Sequence, residues 1–383
     1  MTDQNNIHNL NCSNTGEAKV LDRARFWMLK CLSDHTKCSS HEQPDYYPPR
    51  LLQIENDSVR VIESSDLAVS ANQGRYATLS YCWGSNPKHL TLTAQNYDAL
   101  KVGIKISSLA PTFREAMRTT THLGFQLLWV DALCILQTGQ GSMEDWQRHL
   151  SEMAVIYSNG VVNISADHGD NAETGVFVYR DPDAVKPCII ESTDPSQKVG
   201  SRENELYSIT PRDYLTQLLA CPLLHRAWVQ QERLLSPRTL HFGGNQLIWE
   251  CDEVLACETF PNGFVSQSKH FDERPPFSIH HTDAKAWWQI VKAYSRSSIT
   301  HREDKLPAIA GIARRQFNQT QIPYVAGMFM KGEKGSIDAL LWHFTGGPLG
   351  GTVSPYRAPS WVSQFLVNTS QSSSKYQFST RRT

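Results

Sequence analysis

The sequence predicts an α/β protein with a parallel sheet at its core and helices on both faces, and three observations carry that prediction. Apolar runs of strand length fall at 76–81, 126–131 and 161–165. Segments of helical period, 112–123 and 143–158, stand singly between them. One helix between successive strands makes a crossover, and strands joined by crossovers pair in parallel beneath two helical layers.

Taken in order, residues 1–22 are polar and without period, which predicts a disordered N-terminus. A helix is expected over 23–33, carried by Phe26, Trp27, Leu29 and Leu32. Residues 51–54 and 59–62 read as two short strands joined at Asn56-Asp57, so 23–70 forms an N-terminal helix and strand unit. The core, 71–240, opens with the strand 76–81, ended by Trp83-Gly84. Pro111 suits the first turn of a helix whose inner face is Phe113, Ala116, Met117 and Thr120, and Gly124 stops it. The strand 126–131 follows. After Gly139-Gln140-Gly141 a second helix sets Trp146, Leu150, Met153 and Tyr157 on one face, and Asn159-Gly160 leads into 161–165. The charged, proline-containing stretch near 180–205 reads as an insertion, and 222–236 as a further helix. A C-terminal α+β extension, 241–364, takes up a hairpin of 239–242 and 246–251 around Gly243-Gly244, then a Trp- and Tyr-rich helix at 283–296. The serine-rich tail, 365–383, predicts disorder.

Bulk composition narrows the function. Lys+Arg number 37 and Asp+Glu 38, a balance that argues against an electrostatically driven nucleic-acid or membrane-surface partner. No run approaches the apolar length of a membrane span, and the polar N-terminus is unlike a signal peptide. A soluble cytoplasmic protein is expected. The odd count of nine cysteines fits free thiols in a reducing compartment better than a disulfide framework.

Four segments stand out along the chain. They are Tyr76-Ala77-Thr78-Leu79-Ser80-Tyr81-Cys82-Trp83-Gly84, Leu128-Trp129-Val130-Asp131-Ala132-Leu133-Cys134-Ile135-Leu136-Gln137, Asp145-Trp146, and Arg226-Ala227-Trp228-Val229-Gln230-Gln231-Glu232-Arg233-Leu234-Leu235-Ser236-Pro237-Arg238. The set resembles the heterokaryon incompatibility (HET) domain of filamentous fungi, and the likeness runs from about Trp27 to Pro359-Ser360-Trp361. The resemblance implies a core similar to the Toll/interleukin-1 receptor (TIR) fold, a flavodoxin-like sheet. It implies a role in vegetative incompatibility, where a protein partner encoded by an incompatible allele or locus sets off growth arrest and programmed cell death after cell fusion. Self-association through the HET core belongs to the same expectation. Members of the family commonly run past the end of this chain, so the resemblance also admits a truncated, inactive relative.

Candidate chemistry falls in four places. Trp83, Ser85 and Asp131 follow the first two core strands and line one crevice, where Trp83 stacks on a planar ring and Asp131 accepts from hydroxyls; alternatively Trp83 plugs the core and Asp131 caps the next turn. Some TIR domains cleave NAD with a helical glutamate, but the matching position here is His149, which offers no fixed negative charge; Asp145 and Glu152 flank it. Glu232, four residues after Trp228 and near Arg226, is either a second acid in the crevice or part of an ion pair tying its helix to the sheet. Cys31, His35, Cys38 and His41 are all zinc-ligand types in a compact C-x3-H-x2-C-x2-H run, which reads either as a metal site or as a helix end with free thiols.

Overall fold

The computed structural model describes residues 11–39, 43, 45–67, 75–186, 188–191, 206–209, 220–263, 284–325, 327–330, 342–345 and 377–380. Its first helix, α1 (Ala18–Asp34), buries Val20, Leu21, Ala24, Trp27, Met28 and Cys31, a stripe at helical spacing. Residues 11–22 are therefore ordered, contrary to expectation: Cys12 and Thr15 are buried, and Thr15 bonds Val178 through backbone and side chain. Strands β1 (Arg50–Glu55) and β2 (Ser58–Glu63) form the expected hairpin, with Asn56 at a φ of 52°, a left-handed conformation that Asn adopts more readily than most residues.

The core alternation follows as β3 (Tyr76–Ser80), α2 (Tyr97–Val102), β4 (Ile104–Lys105), α3 (Pro111–His122), β5 (Leu127–Trp129), the single turn α4 (Asp131–Cys134), α5 (Ser142–Asn159) and β6 (Val162–Ser165). A hairpin of β7 (Cys188–Glu191) and β8 (Leu206–Ile209) occupies the region expected as insertion, whose residues 192–205 lie outside the described ones. Next come α6 (Ala227–Leu235), β9 (Arg238–Phe242), β10 (Leu247–Cys251), β11 (Leu255–Cys257), α7 (Ala284–Ser295) and α8 (Pro307–Thr320). Two small ladders close the chain, β12 (Tyr324–Val325) with β13 (Met328–Phe329), and β14 (Trp342–Thr345) with β15 (Gln377–Thr380). The last strand lies in the tail expected to be disordered, whereas Pro359, Ser360 and Trp361 fall outside the described residues.

The main sheet has nine strands in the order β11-β10-β9-β6-β3-β5-β1-β2-β4. Only the middle four, β9, β6, β3 and β5, are mutually parallel. On one side β1 pairs antiparallel with β5, and on the other β10 pairs antiparallel with β9. The segments assigned to separate N- and C-terminal units thus extend the core sheet. The physical reason is that a short turn joins only antiparallel neighbours, so each hairpin that caps an edge of the parallel core adds antiparallel strands.

Within the parallel four, the chain steps from β3 to β5 on one side, then crosses to β6 and β9 on the other. This is the flavodoxin-like, doubly wound order. Right-handed crossovers then put α3 on one face and α5 and α6 on the opposite one. Contacts between helices agree: α3 packs with α1, while α5, α6 and α8 pack together. Two covered faces explain why every residue of β3, β5, β6 and β9 is buried. The three-helix layer is tight at Gly311, where a Cβ would stand 2.6 Å from both Ala154 and Gln231. The likeness to TIR domains rests on the sequence resemblance alone. Among the described residues no helix is long and apolar enough to cross a membrane.

Helix α5 is turned relative to expectation. Its buried column is His149, Met153, Ile156 and Tyr157, with Trp146 and Leu150 half-buried at the margin. Phe113 is fully buried, edge-on to Tyr81 and His89 at 5.2 and 5.3 Å between ring centroids. Phe113→Ala is expected to cost about 3–5 kcal/mol in denaturant unfolding, and Trp146→Ala distinctly less. An equal loss at Trp146 would restore the column that sequence periodicity indicates.

Candidate functional site

In a doubly wound sheet the crevice for ligands lies beyond the carboxyl ends of the strands where the strand order reverses, here between β3 and β6. Side chains already fill that point. Thr78 Oγ1 donates to Asn163 Oδ1 at 3.0 Å, Asn163 Nδ2 donates to Ser80 Oγ at 3.0 Å, and Ser80 Oγ donates to Glu232 on α6. Arg226, just before α6, donates through Nη1 to the Tyr81 carbonyl at 2.7 Å. Glu232 and Arg226 therefore bond the end of β3 separately, and Trp228 turns away to Asp304, 3.3 Å distant. Burial pushes the Glu232 carboxyl up to about 7, against the opposing pull of the Ser80 hydroxyl and the Arg226 charge.

One strand over, Trp83 Nε1 donates to Asp131 Oδ2 at 2.8 Å, and the Ala132 amide at the start of α4 donates to Asp131 Oδ1 at 2.7 Å. Trp83 stacks on Tyr81, 17° between ring planes, and meets His89 edge-on at 5.1 Å. Trp83 and Asp131 satisfy each other and order the turn, and both stay partly exposed at the strand ends. Burial raises the Asp131 pKa despite the Trp83 and Ala132 donors. Ser85 stands on the exposed loop after Gly84.

His149, Asp145 and Glu152 do not face this crevice. His149 is fully buried, its Nδ1 bonded to the Asp145 carbonyl at 2.8 Å and its Nε2 without a partner among the described residues. Burial lowers its pKa and keeps the ring neutral. Asp145 accepts from Arg50 on β1 and from the Leu136 amide, while Glu152 accepts from Tyr46 and Arg148, each at 3.3 Å. These groups are occupied in fastening α5 to the β1 side of the sheet. A stripe counted from apolar residues alone leaves out His149, a histidine that packs as one of them.

A second buried network escaped the sequence reading. His241 Nδ1 meets Asp167 Oδ2 at 2.8 Å, His241 Nε2 meets Glu250 Oε2 at 2.9 Å, and Arg233 grips Glu250 in a bidentate pair at 2.6 and 3.0 Å. Burial alone would lower the His241 pKa; Asp167 and Glu250 outweigh it and raise it. Glu250 is pulled down to about 2: burial raises it, and the Arg233 and His241 charges prevail. The available signal was a histidine alternating with Leu240 and Phe242 in a strand covered on both faces, since a buried imidazole requires partners.

Of the sequence-predicted thiol and imidazole set, Cys31, His35 and Cys38 come together and His41 lies outside the described residues. Their fourth companion is Cys251, at the end of β10. Hydrogen bonds from the Cys31 and Cys38 thiols hold Cys251 well below the usual thiol range. Nothing in its local sequence points to this placement.

Residues 76–232 match the family described as Heterokaryon incompatibility protein (HET). No curated protein and no solved structure shows significant similarity to the chain.

Two outcomes are expected. Glu232 binds more protons folded than unfolded between its ordinary 4.5 and about 7. Stability therefore falls as pH rises through that window, by on the order of 3 kcal/mol. His241, with a raised pKa, acts in the same direction: its contribution is complete below the unfolded value and lost as pH rises through the folded one. Glu232→Gln should accordingly gain on the parent between pH 4.5 and 7.5 in denaturant titrations; parallel stability curves would show that Glu232 does not titrate there. His149→Glu would bury a carboxylate beside Asp145 and should cost about 3–5 kcal/mol, so a variant melting with the parent would mean position 149 reaches solvent.

Proposed function

We propose that this chain, which carries a HET domain over residues 76–232, is a cytoplasmic non-self recognition protein of fungal vegetative incompatibility. In this reading a protein partner encoded by an incompatible allele or locus engages the chain, and the HET core, through self-association or release, triggers growth arrest and programmed cell death in the fused cell. The observation that supports it most is the family match. The chemistry of the site favours a signalling role over turnover. His149 is a buried neutral imidazole where a TIR-type reaction needs a fixed carboxylate to stabilise positive charge on the ribose, and the flanking acids are spent on Arg50, Tyr46 and Arg148.

One observation favours a second reading, cleavage of NAD. Glu232, with a carboxyl titrating near 7, sits at the strand ends where such sheets bind ligands, and the partly exposed Trp83 and Asp131 are one strand away. In that case Glu232 and Asp131, not His149, are the acids.

Induced expression of the chain in fungal strains of differing incompatibility type, with growth and cellular NAD followed together, separates the two. Arrest in some backgrounds with NAD steady until growth stops is the expected result. Absence of arrest in every background would overturn the incompatibility role. A fall in NAD that precedes arrest, and that disappears in a Glu232→Gln variant that still folds cooperatively, would replace signalling with catalysis.

A further inference from the structure

The last turn of α1 with its cap and the 3-10 turn after it (Lys37–Ser39) bring three donors, Cys31, His35 and Cys38, to Cys251 at the end of β10. The ligand atoms of Cys31, His35, Cys38 and Cys251 all lie within 4.8 Å of one another. His35 Nδ1 is 3.4 Å from Cys251 Sγ and 3.9 Å from Cys38 Sγ. A tetrahedral zinc ion, with bonds of about 2.3 Å to sulfur and about 2.0 Å to nitrogen, keeps its donors roughly 3.3–3.8 Å apart. The widest edge of the cluster thus needs to contract by only about 1 Å to hold one.

We propose that Cys31, His35, Cys38 and Cys251 bind a single structural zinc ion that staples α1 to β10. The donor set is three sulfurs and one imidazole nitrogen, a soft combination that suits zinc and not magnesium or calcium. Cys31 and Cys38 are fully buried and the other two half-buried, so the site is closed on four protein ligands, the form of a structural rather than a catalytic centre. Surrounding groups fit thiolates. Arg238 Nε donates to Cys31 Sγ at 3.2 Å, and the Val254 amide donates to Cys251 Sγ at 3.3 Å, the outer-shell donors that orient ligating sulfurs. Zinc with three thiolates carries one net negative charge, and the buried guanidinium of Arg238 stands beside it to offset that charge. Cys251, distant in sequence, takes the place that local spacing gave to His41. Both stapled elements lie outside 76–232, so the ion would join the two flanks of the HET domain to each other.

Binding releases one proton from each cysteine that enters as a thiol, leaves zinc at +2 and changes no oxidation state. The test uses the full chain, purified without a metal-affinity step and analysed for zinc. About one zinc per chain is expected, with a lowered melting temperature on chelation and recovery on adding zinc chloride. Cobalt chloride added to the apo chain should give the visible bands of a tetrahedral site together with sulfur-to-cobalt charge transfer, a signature that packing alone does not produce. Cys251→Ser should lose zinc, Cys251→His should retain it, and His41→Ala should leave it unchanged. The proposal is overturned by a metal-free chain whose melting ignores chelator and which gives no tetrahedral cobalt spectrum. It is equally overturned by zinc that survives Cys251→Ser but not His41→Ala, or by a Cys31–Cys38 disulfide in chain isolated under reducing conditions. If Cys251→Ser fails to fold, the cobalt spectrum of the parent chain decides.

Discussion

The bond from Ser80 to Glu232 is the constraint on which the other motif contacts depend. It closes a chain of donors that begins at Thr78, passes through Asn163 on the neighbouring strand and ends on a helix more than a hundred residues later. Each hydroxyl or amide in that chain is buried and would cost about 1–3 kcal/mol if left unpaired. Strand β6 must therefore lie beside β3, and α6 must lie on the sheet face with Glu232 pointing in at the last residue of β3. Arg226 adds a charge-assisted bond to the Tyr81 carbonyl from the same helix start. The network also sets the Glu232 pKa, because a carboxylate enclosed between two strands and a helix has lost its water.

The parallel centre was legible because β3, β5 and β6 are covered on both faces, so burial writes itself as unbroken apolar runs. The helices on them were legible for the complementary reason, since Phe113, Ala116 and Met117 repeat at the helical period and Pro111 marks the start. Pairing partners were not. The alternation in β1 and β2 shows that one face is buried, yet nothing in it says that Leu52 sits opposite Leu128. For the same reason β9 read as half of an isolated hairpin, although its other edge completes the core beside β6.

Site residues divide along the same line. Asp131 and Glu232 were singled out because a carboxylate inside an apolar motif is conspicuous, and they lie near the carboxyl ends of β5 and β3. His149 was left out of the expected buried column because its burial depends on the Asp145 carbonyl, one turn away on its own helix, and on Met153 and Ile156, which continue the column. His241 was missed because its partners come from elsewhere in the fold, Asp167 from the turn after β6 and Glu250 from β10. Cys251 is the extreme case. Three members of its cluster are local and legible, and the fourth arrives through the topology of the whole sheet.

Topology also bears on what the HET segment can be by itself. Residues 76–232 contain β3, β5 and β6, and both outer edges of that ribbon pair with strands from outside it, β1 against β5 and β9 against β6. Unpaired edges of this kind invite association with other chains. The helical layer is equally dependent, because α8 lies on α5 and α6 with Gly311 at the contact. Arg180, inside the segment, reaches both flanks at once: it pairs bidentately with Glu258 and donates to the carbonyls of Cys12 and Asn245. Both side chains of that ion pair are almost wholly buried, so removing the C-terminal flank, which carries Glu258, would take the countercharge from Arg180. The acting unit is therefore the sheet together with its flanks. Displacement of α1 or the β10 hairpin would therefore be felt by residues 76–232 through edges and ion pairs already in place.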